Sequence, residues 1–229
     1  MLFSYWSGDA YRATKDVDFL KSGEASITYL TQVFTDLCEE ATNPDDGLIF
    51  DISSIQAGEI REEDAYGRIR ITIEATLAKA KIKIQADIGI GDIITHDAET
   101  IEFPTILDMP TPSLKAYPVE TVIAEKFEAM VSLGFVNSRM KDFYDIWAIY
   151  QFMNPDEKVI SQAITNTFGR RGTELPIGLP LALSEEFSSD TSKQQWKAFI
   201  HRAAVAKSAR STLKETIDDI RPFLMMAVK

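Results

Sequence analysis

The chain has 229 residues, 45% hydrophobic and 26% charged, which suits one large domain or two modest ones with a buried core and argues against a disordered chain. Cys38 is the single cysteine, so an intrachain disulfide and a Cys-rich zinc site are excluded, and a reducing, cytoplasmic setting is expected. The formal charge of −11 argues against wholesale nucleic-acid binding, yet it is uneven: residues 1–113 hold 9 Lys/Arg against 21 Asp/Glu, and residues 114–229 hold 15 against 14.

No run approaches the roughly 18 apolar residues a membrane span needs, and no basic-then-apolar leader pattern opens the chain, so no membrane partner is expected. Residues 1–8 read as the tail of an apolar helix through Leu2, Phe3, Tyr5 and Trp6. Residues 12–20 then read as a short strand, and residues 25–41 as an amphipathic helix, with Ile27, Leu30, Val33, Phe34 and Leu37 at helical spacing. Three strands follow at about 48–56, 66–77 and 81–90. Their short connections predict an antiparallel meander rather than a βαβ array. In the last of them Ile82, Ile84, Ala86 and Ile88 alternate with Lys81, Lys83, Gln85 and Asp87, so Asp87 faces away from the core.

Residues 93–115, with prolines at 104, 110 and 112, read as loop and edge strand. From Pro118 the pattern is helical: a first helix stops at Gly134, a second covers about 139–153, and a third starts at Asn154-Pro155-Asp156-Glu157. Helices at about 192–206 and 212–226 close the chain, the last opening on a capping-box pattern, Thr212 to Glu215. The expected fold is α+β: a small mixed or antiparallel sheet flanked by helices at 1–113, followed by a helical bundle domain at 114–229.

The sharpest chemical feature is Asp16-Val17-Asp18. Two apart on a strand, the carboxylates point the same way and can share divalent cations about 3.5–4 Å apart, as phosphoryl transfer requires. Oxygen-only ligands suit Mg²⁺ or Mn²⁺. Taken alone, a D-x-D is more often a surface charge pair. Asp87 on a neighbouring strand adds a third carboxylate, to hold a second ion or to take the proton from an attacking hydroxyl. Its alternative is an ordinary solvated strand face. Lys126 lies at the edge of the stripe formed by Val119, Val122, Ile123, Phe127 and Met130, and Asp142 and Asp145 share one side of the next helix. Each is also readable as a structural charge. An acid-free basic stretch from residue 191 to 214 (Lys193, Lys197, His201, Arg202, Lys207, Arg210, Lys214) suits either an RNA backbone or the acidic first half.

Arg12-Ala13-Thr14-Lys15-Asp16-Val17-Asp18, Asp87 before Gly89, Ala124-Glu125-Lys126, and Arg139-Met140-Lys141-Asp142-Phe143-Tyr144-Asp145 follow one another in the order of four motifs. Together they resemble the AbiEii-type nucleotidyltransferase toxins, within the polymerase-β-like superfamily, over residues 1 to about 150. The resemblance implies that Asp16, Asp18 and Asp87 bind Mg²⁺ or Mn²⁺ and carry the catalysis, and that Lys126 contacts the NTP phosphates. It further implies that Asp142 and Asp145 complete the nucleotide site and that Arg12 and Thr14 contact nucleotide or shape the turn. It also implies an NTP substrate, an RNA acceptor such as a tRNA end, and a cognate antitoxin. The family's glycine turn upstream of the D-x-D is not found before Asp16, so the chain reads as N-terminally short relative to the family. A shortened, non-catalytic relative acting as a binding protein is therefore the second reading. A D-x-D glycosyltransferase is the third, disfavoured by the strand run at 48–90.

Overall fold

A computed structural model describes residues 2–7, 16–23, 25–41, 46–60, 67–91, 93–105, 108–203, 205 and 209–228, without the side chains of Phe3, Ser4, Ser7 and Asp16. The chain divides into two compact units, one spanning residues 14–92 and the other spanning residues 93–229 together with the first 13.

The first unit is a four-stranded mixed sheet backed by one helix. Its strands are β1 (Asp16–Lys21), β2 (Leu48–Glu59), β3 (Arg68–Leu77) and β4 (Ala80–Ile90), in the spatial order β1-β4-β3-β2. β2, β3 and β4 form the expected antiparallel meander, and β1 adds parallel to β4. The β3–β4 turn is the two-residue Ala78-Lys79, with Ala78 at φ 53°, a left-handed value typical of tight hairpins. β2 carries an irregularity between Asp51 and Gln56. There Ser54 Oγ accepts the Glu74 amide at 2.8 Å and donates to the Asp51 carbonyl at 2.6 Å, so polar groups displaced from the ladder find partners. Strand alternation sends Ile69, Ile71, Ile73, Ala86 and Ile88 to one face, where they pack with Leu30 and Cys38 of the helix Ile27–Glu40. That helix, α2, starts where Ser26 caps the Tyr29 amide at 3.1 Å. The opposite face carries the polar side chains.

In the second unit, α1 (Leu2–Ser7) brings Trp6 against a helical core. A hairpin of β5 (Glu99–Glu102) and β6 (Ser113–Ala116) precedes α3 (Val119–Leu133), α4 (Met140–Phe152), α5 (Glu157–Arg171), α6 (Asp190–Ala203) and α7 (Leu213–Ala227). Pro118 caps α3 rather than occupying its first turn. Gly134, at φ 50° and ψ −127°, ends that helix in a conformation that disfavours a Cβ. α4 is the central helix, buried on nearly every side from Phe143 to Ile149, and Phe127, Phe168, Phe187 and Trp196 close around it. The loop before the hairpin is tied to the bundle by a reciprocal pair of hydrogen bonds between the Thr95 backbone and Thr121 Oγ1.

α7 opens on the expected capping box: Thr212 Oγ1 accepts the Glu215 amide at 3.1 Å, and the Glu215 carboxylate accepts the Thr212 amide at 3.0 Å. A hydrogen bond from Ser211, followed by those from Thr212, holds the Glu215 carboxyl below its ordinary range. That contribution is fully present above the unfolded-state value and is lost as pH falls through the lower, folded value. Thr212→Ala is expected to destabilise the protein by about 1 kcal/mol, read as a lower urea midpoint at unchanged m-value.

Candidate active site

The polar face of the sheet collects the chemistry of the first unit. In the parallel ladder Asp18 is the register partner of Asp87, which sets two carboxylates side by side on strands about 4.8 Å apart. Asp16 begins β1 opposite Gln85; its side chain, like Arg12 and Thr14, lies outside the described residues. Asp18 is exposed to solvent. Asp87 is not a solvated strand charge: its side chain is 14% exposed, and Arg70 of β3 holds it in a bidentate fork. Arg70 Nε donates to Oδ1 and Nη2 to Oδ2, both at 2.7 Å.

Like charges at adjacent ladder positions repel, and the guanidinium offsets that repulsion. Arg70 is a residue of the candidate site that the motif reading missed. The signal was present in the hairpin. With Ala78-Lys79 as a two-residue turn, Leu77 faces Ala80, and counting seven residues outward on each strand lands on Arg70 and Asp87.

A second charged group lies in the helical unit. The α3 stripe turns Lys126 toward α4, where Asp142 and Asp145 sit one turn apart. Lys126 Nζ is 2.8 Å from Asp142 Oδ1 and 2.9 Å from Asp145 Oδ2, with Arg139 Nε 3.0 Å from Asp142 Oδ2. Both carboxylate side chains are at most 1% exposed, and Lys126 is 17% exposed. Burial alone would lower the proton affinity of Lys126, but the charges and hydrogen bonds of Asp142 and Asp145 outweigh it and hold the ammonium above the ordinary lysine range. Its stabilising charge therefore persists through neutral and alkaline pH and is lost only as pH climbs through that raised value. This group joins α3 to α4. A second buried pair, Arg171 Nη1 on Glu128 Oε2 at 2.8 Å, joins α3 to the end of α5.

The basic stretch divides. Lys193, Lys197, His201 and Arg202 are exposed on α6, on successive turns and with no acid on the helix beyond Asp190. Arg210 is instead fixed on Asp219 at 2.7 Å, over the ring of Trp147, whose Nε1 donates to the same carboxylate. Lys214 pairs with Asp218 at 2.8 Å, and Lys207 lies outside the described residues.

Among the described residues no group of three His, Cys, Asp or Glu side chains converges. Asp18 and Asp87 nevertheless fit a hard divalent cation as a donor set: adjacent, oxygen-only and carboxylate in type, with a further aspartate two residues along the same strand. No described helix is long and apolar enough to cross a membrane.

These features define an α+β protein whose small mixed sheet presents paired carboxylates and whose other unit is a helical bundle. Residues 1–220 match the model of the nucleotidyl transferase AbiEii toxins of a type IV toxin–antitoxin system, and the chain belongs to that family. No curated protein matches it. Among solved structures it is similar to a Helicobacter pylori protein assigned as a nucleotidyltransferase, at 14% identity and a TM-score of 0.46, covering 99% of this chain and 82% of that one. It is also similar to JHP933 from Helicobacter pylori, at 14% identity and a TM-score of 0.45, covering 95% and 76%.

Lys126→Met removes the counter-charge shared by two buried carboxylates and is expected to cost about 3–5 kcal/mol, seen as a fall in thermal midpoint. Adding Asp142→Asn and Asp145→Asn to that variant is expected to recover much of the loss. A change below about 1 kcal/mol for the single variant would show that the knot does not hold the helices together.

Proposed function

We propose that this protein is a metal-dependent nucleotidyltransferase that moves a nucleoside monophosphate from an NTP to an RNA hydroxyl, with a tRNA end as acceptor. In this reading it acts in the cytoplasm as the toxin of a pair whose antitoxin is a second protein. The observation that carries the reading is Asp18 beside Asp87 on neighbouring strands, in a chain of the AbiEii family. In the reaction the acceptor hydroxyl gives up its proton as its oxygen forms a bond to the α-phosphorus, the bond from that phosphorus to the α–β bridging oxygen breaks, and pyrophosphate leaves.

Asp16, Asp18 and Asp87 are the residues that would hold Mg²⁺ or Mn²⁺, which when bound neutralises charge on the α-phosphate and on the attacking and leaving oxygens. The chain's own contribution is rigid placement: Asp18 and Asp87 sit on paired strands rather than on loops, and Arg70 orients Asp87. The exposed basic row on α6 supports an RNA acceptor, since cations on successive turns suit a phosphate backbone. Lys126, Asp142 and Asp145 remain proposed nucleotide contacts.

A second reading, a non-catalytic relative that binds a partner, is favoured by two observations. Arg70 engages both oxygens of Asp87, and Lys126 is already neutralised by two carboxylates.

Incubation with each labelled NTP, Mg²⁺ and total tRNA separates the two readings. The enzyme reading expects label on RNA, abolished by chelation and reduced at least about a hundredfold by Asp18→Asn. NTP binding without transfer from any of the four nucleotides to RNA or protein would favour the binding protein. In a separate measurement, the Lys193→Glu/Lys197→Glu double variant is expected to weaken RNA binding. It should also reduce the slope of log affinity against log salt by about 1.5. An unchanged slope would remove α6 from the RNA surface.

A further inference from the structure

The fork between Arg70 and Asp87 combines features that an ordinary cross-strand ion pair lacks. It uses both carboxylate oxygens, it is mostly shielded on the aspartate side, and it abuts a second carboxylate, Asp18, across the next ladder. On its β2 side, the register partner of Arg70 is Gly58. The arginine is 42% exposed, which leaves its tip room to rotate without unpacking the sheet.

We propose that Arg70 is a positioning residue that acts as an electrostatic latch on Asp87. Its fork sets the orientation of the carboxylate and competes with a divalent cation for it, so that cation loading draws one carboxylate oxygen away from the guanidinium. This rests on the reading that Asp18 and Asp87 are metal ligands. Two consequences follow from charge and geometry. Removing the latch strips a positive charge from beside the cation position, so cation affinity rises. It also releases Asp87 from its fixed rotamer, so turnover falls. An arginine serving only to hold β3 against β4 would give the opposite pattern, with affinity unchanged or lowered along with stability.

The experiment is Mn²⁺ titration by calorimetry, without nucleotide, of the full chain and of Arg70→Gln, Arg70→Lys and Asp18→Asn, with thermal melts to verify folding. Arg70→Gln is expected to bind Mn²⁺ about fivefold to tenfold more tightly than wild type, and Asp18→Asn to lose binding. Arg70→Lys, which keeps the charge but not the fork, is expected to bind about twofold to threefold more tightly. Should Arg70→Gln not fold, the lysine variant tests the latch in its place. Under saturating Mn²⁺, kcat for nucleotide transfer is expected to drop about tenfold in Arg70→Gln with little change in KM. Asp18-dependent binding that is unchanged or weaker in the Arg70 variants would overturn the latch and leave the metal reading standing. Absence of Asp18-dependent binding in wild type and in every Arg70 variant would overturn the metal reading, and the latch with it.

Discussion

Two carboxylates at adjacent positions of a β-ladder repel each other, and the polar face of the sheet is arranged around that cost. Asp18 and Asp87 are brought together because β1 joins β4 in parallel at one specific register. A shift of a single residue would turn Asp18 toward the apolar face and bring Val17 or Phe19 opposite Asp87. The register of β3 against β4 is held from the other face by burial. Ile69, Ile71, Ile73, Ala86 and Ile88 must all meet α2, so the polar positions have no freedom to change faces. Arg70 is then delivered to Asp87 by the same hairpin count that aligns the isoleucines. Packing on one face thus sets the electrostatics on the other.

The helical unit solves a similar problem in a drier setting. Asp142 and Asp145 lie on the most buried helix of the bundle, where uncompensated carboxylates would be costly. Lys126 answers both, and Arg139 shares Asp142. This gives the Ala124-Glu125-Lys126 motif and the motif from Arg139 to Asp145 a physical reason within this unit alone, since the first supplies Lys126 and the second Arg139, Asp142 and Asp145 of one ion cluster. It also sharpens what any nucleotide role for Lys126 must involve: an incoming phosphate would have to compete with two carboxylates within 3 Å of the same ammonium. Among the described residues, the exposed cations of α6 show no such competition beyond the Lys193–Asp190 pair.

Much of this was legible in the sequence. The hydrophobic alternation of residues 82–88 located β4 and its inward face, and the Thr212–Glu215 spacing located the start of α7. Both are local signals, readable because strand period and helix capping act within a few residues. The strand at 12–20 was found as β1 over Asp16–Lys21, but no local signal gave its partner or direction. Pairing with β4 joins residues more than sixty positions apart, beyond the reach of any signal that acts within a few residues. Arg70 escaped notice for a related reason: it belongs to no motif, and its meaning depends on the strand across from it.

What the sequence determined by itself was the alphabet of elements, the apolar face of each, and the identity of the charged residues set in family order. What only the tertiary structure decided was the pairing of charges. It set Asp18 beside Asp87 and Asp87 in the fork of Arg70, and it enclosed Lys126 between Asp142 and Asp145. The physical reason is range. Propensity and capping are settled within a turn or a hairpin, whereas a carboxylate's environment is set by whichever strand or helix the core brings against it.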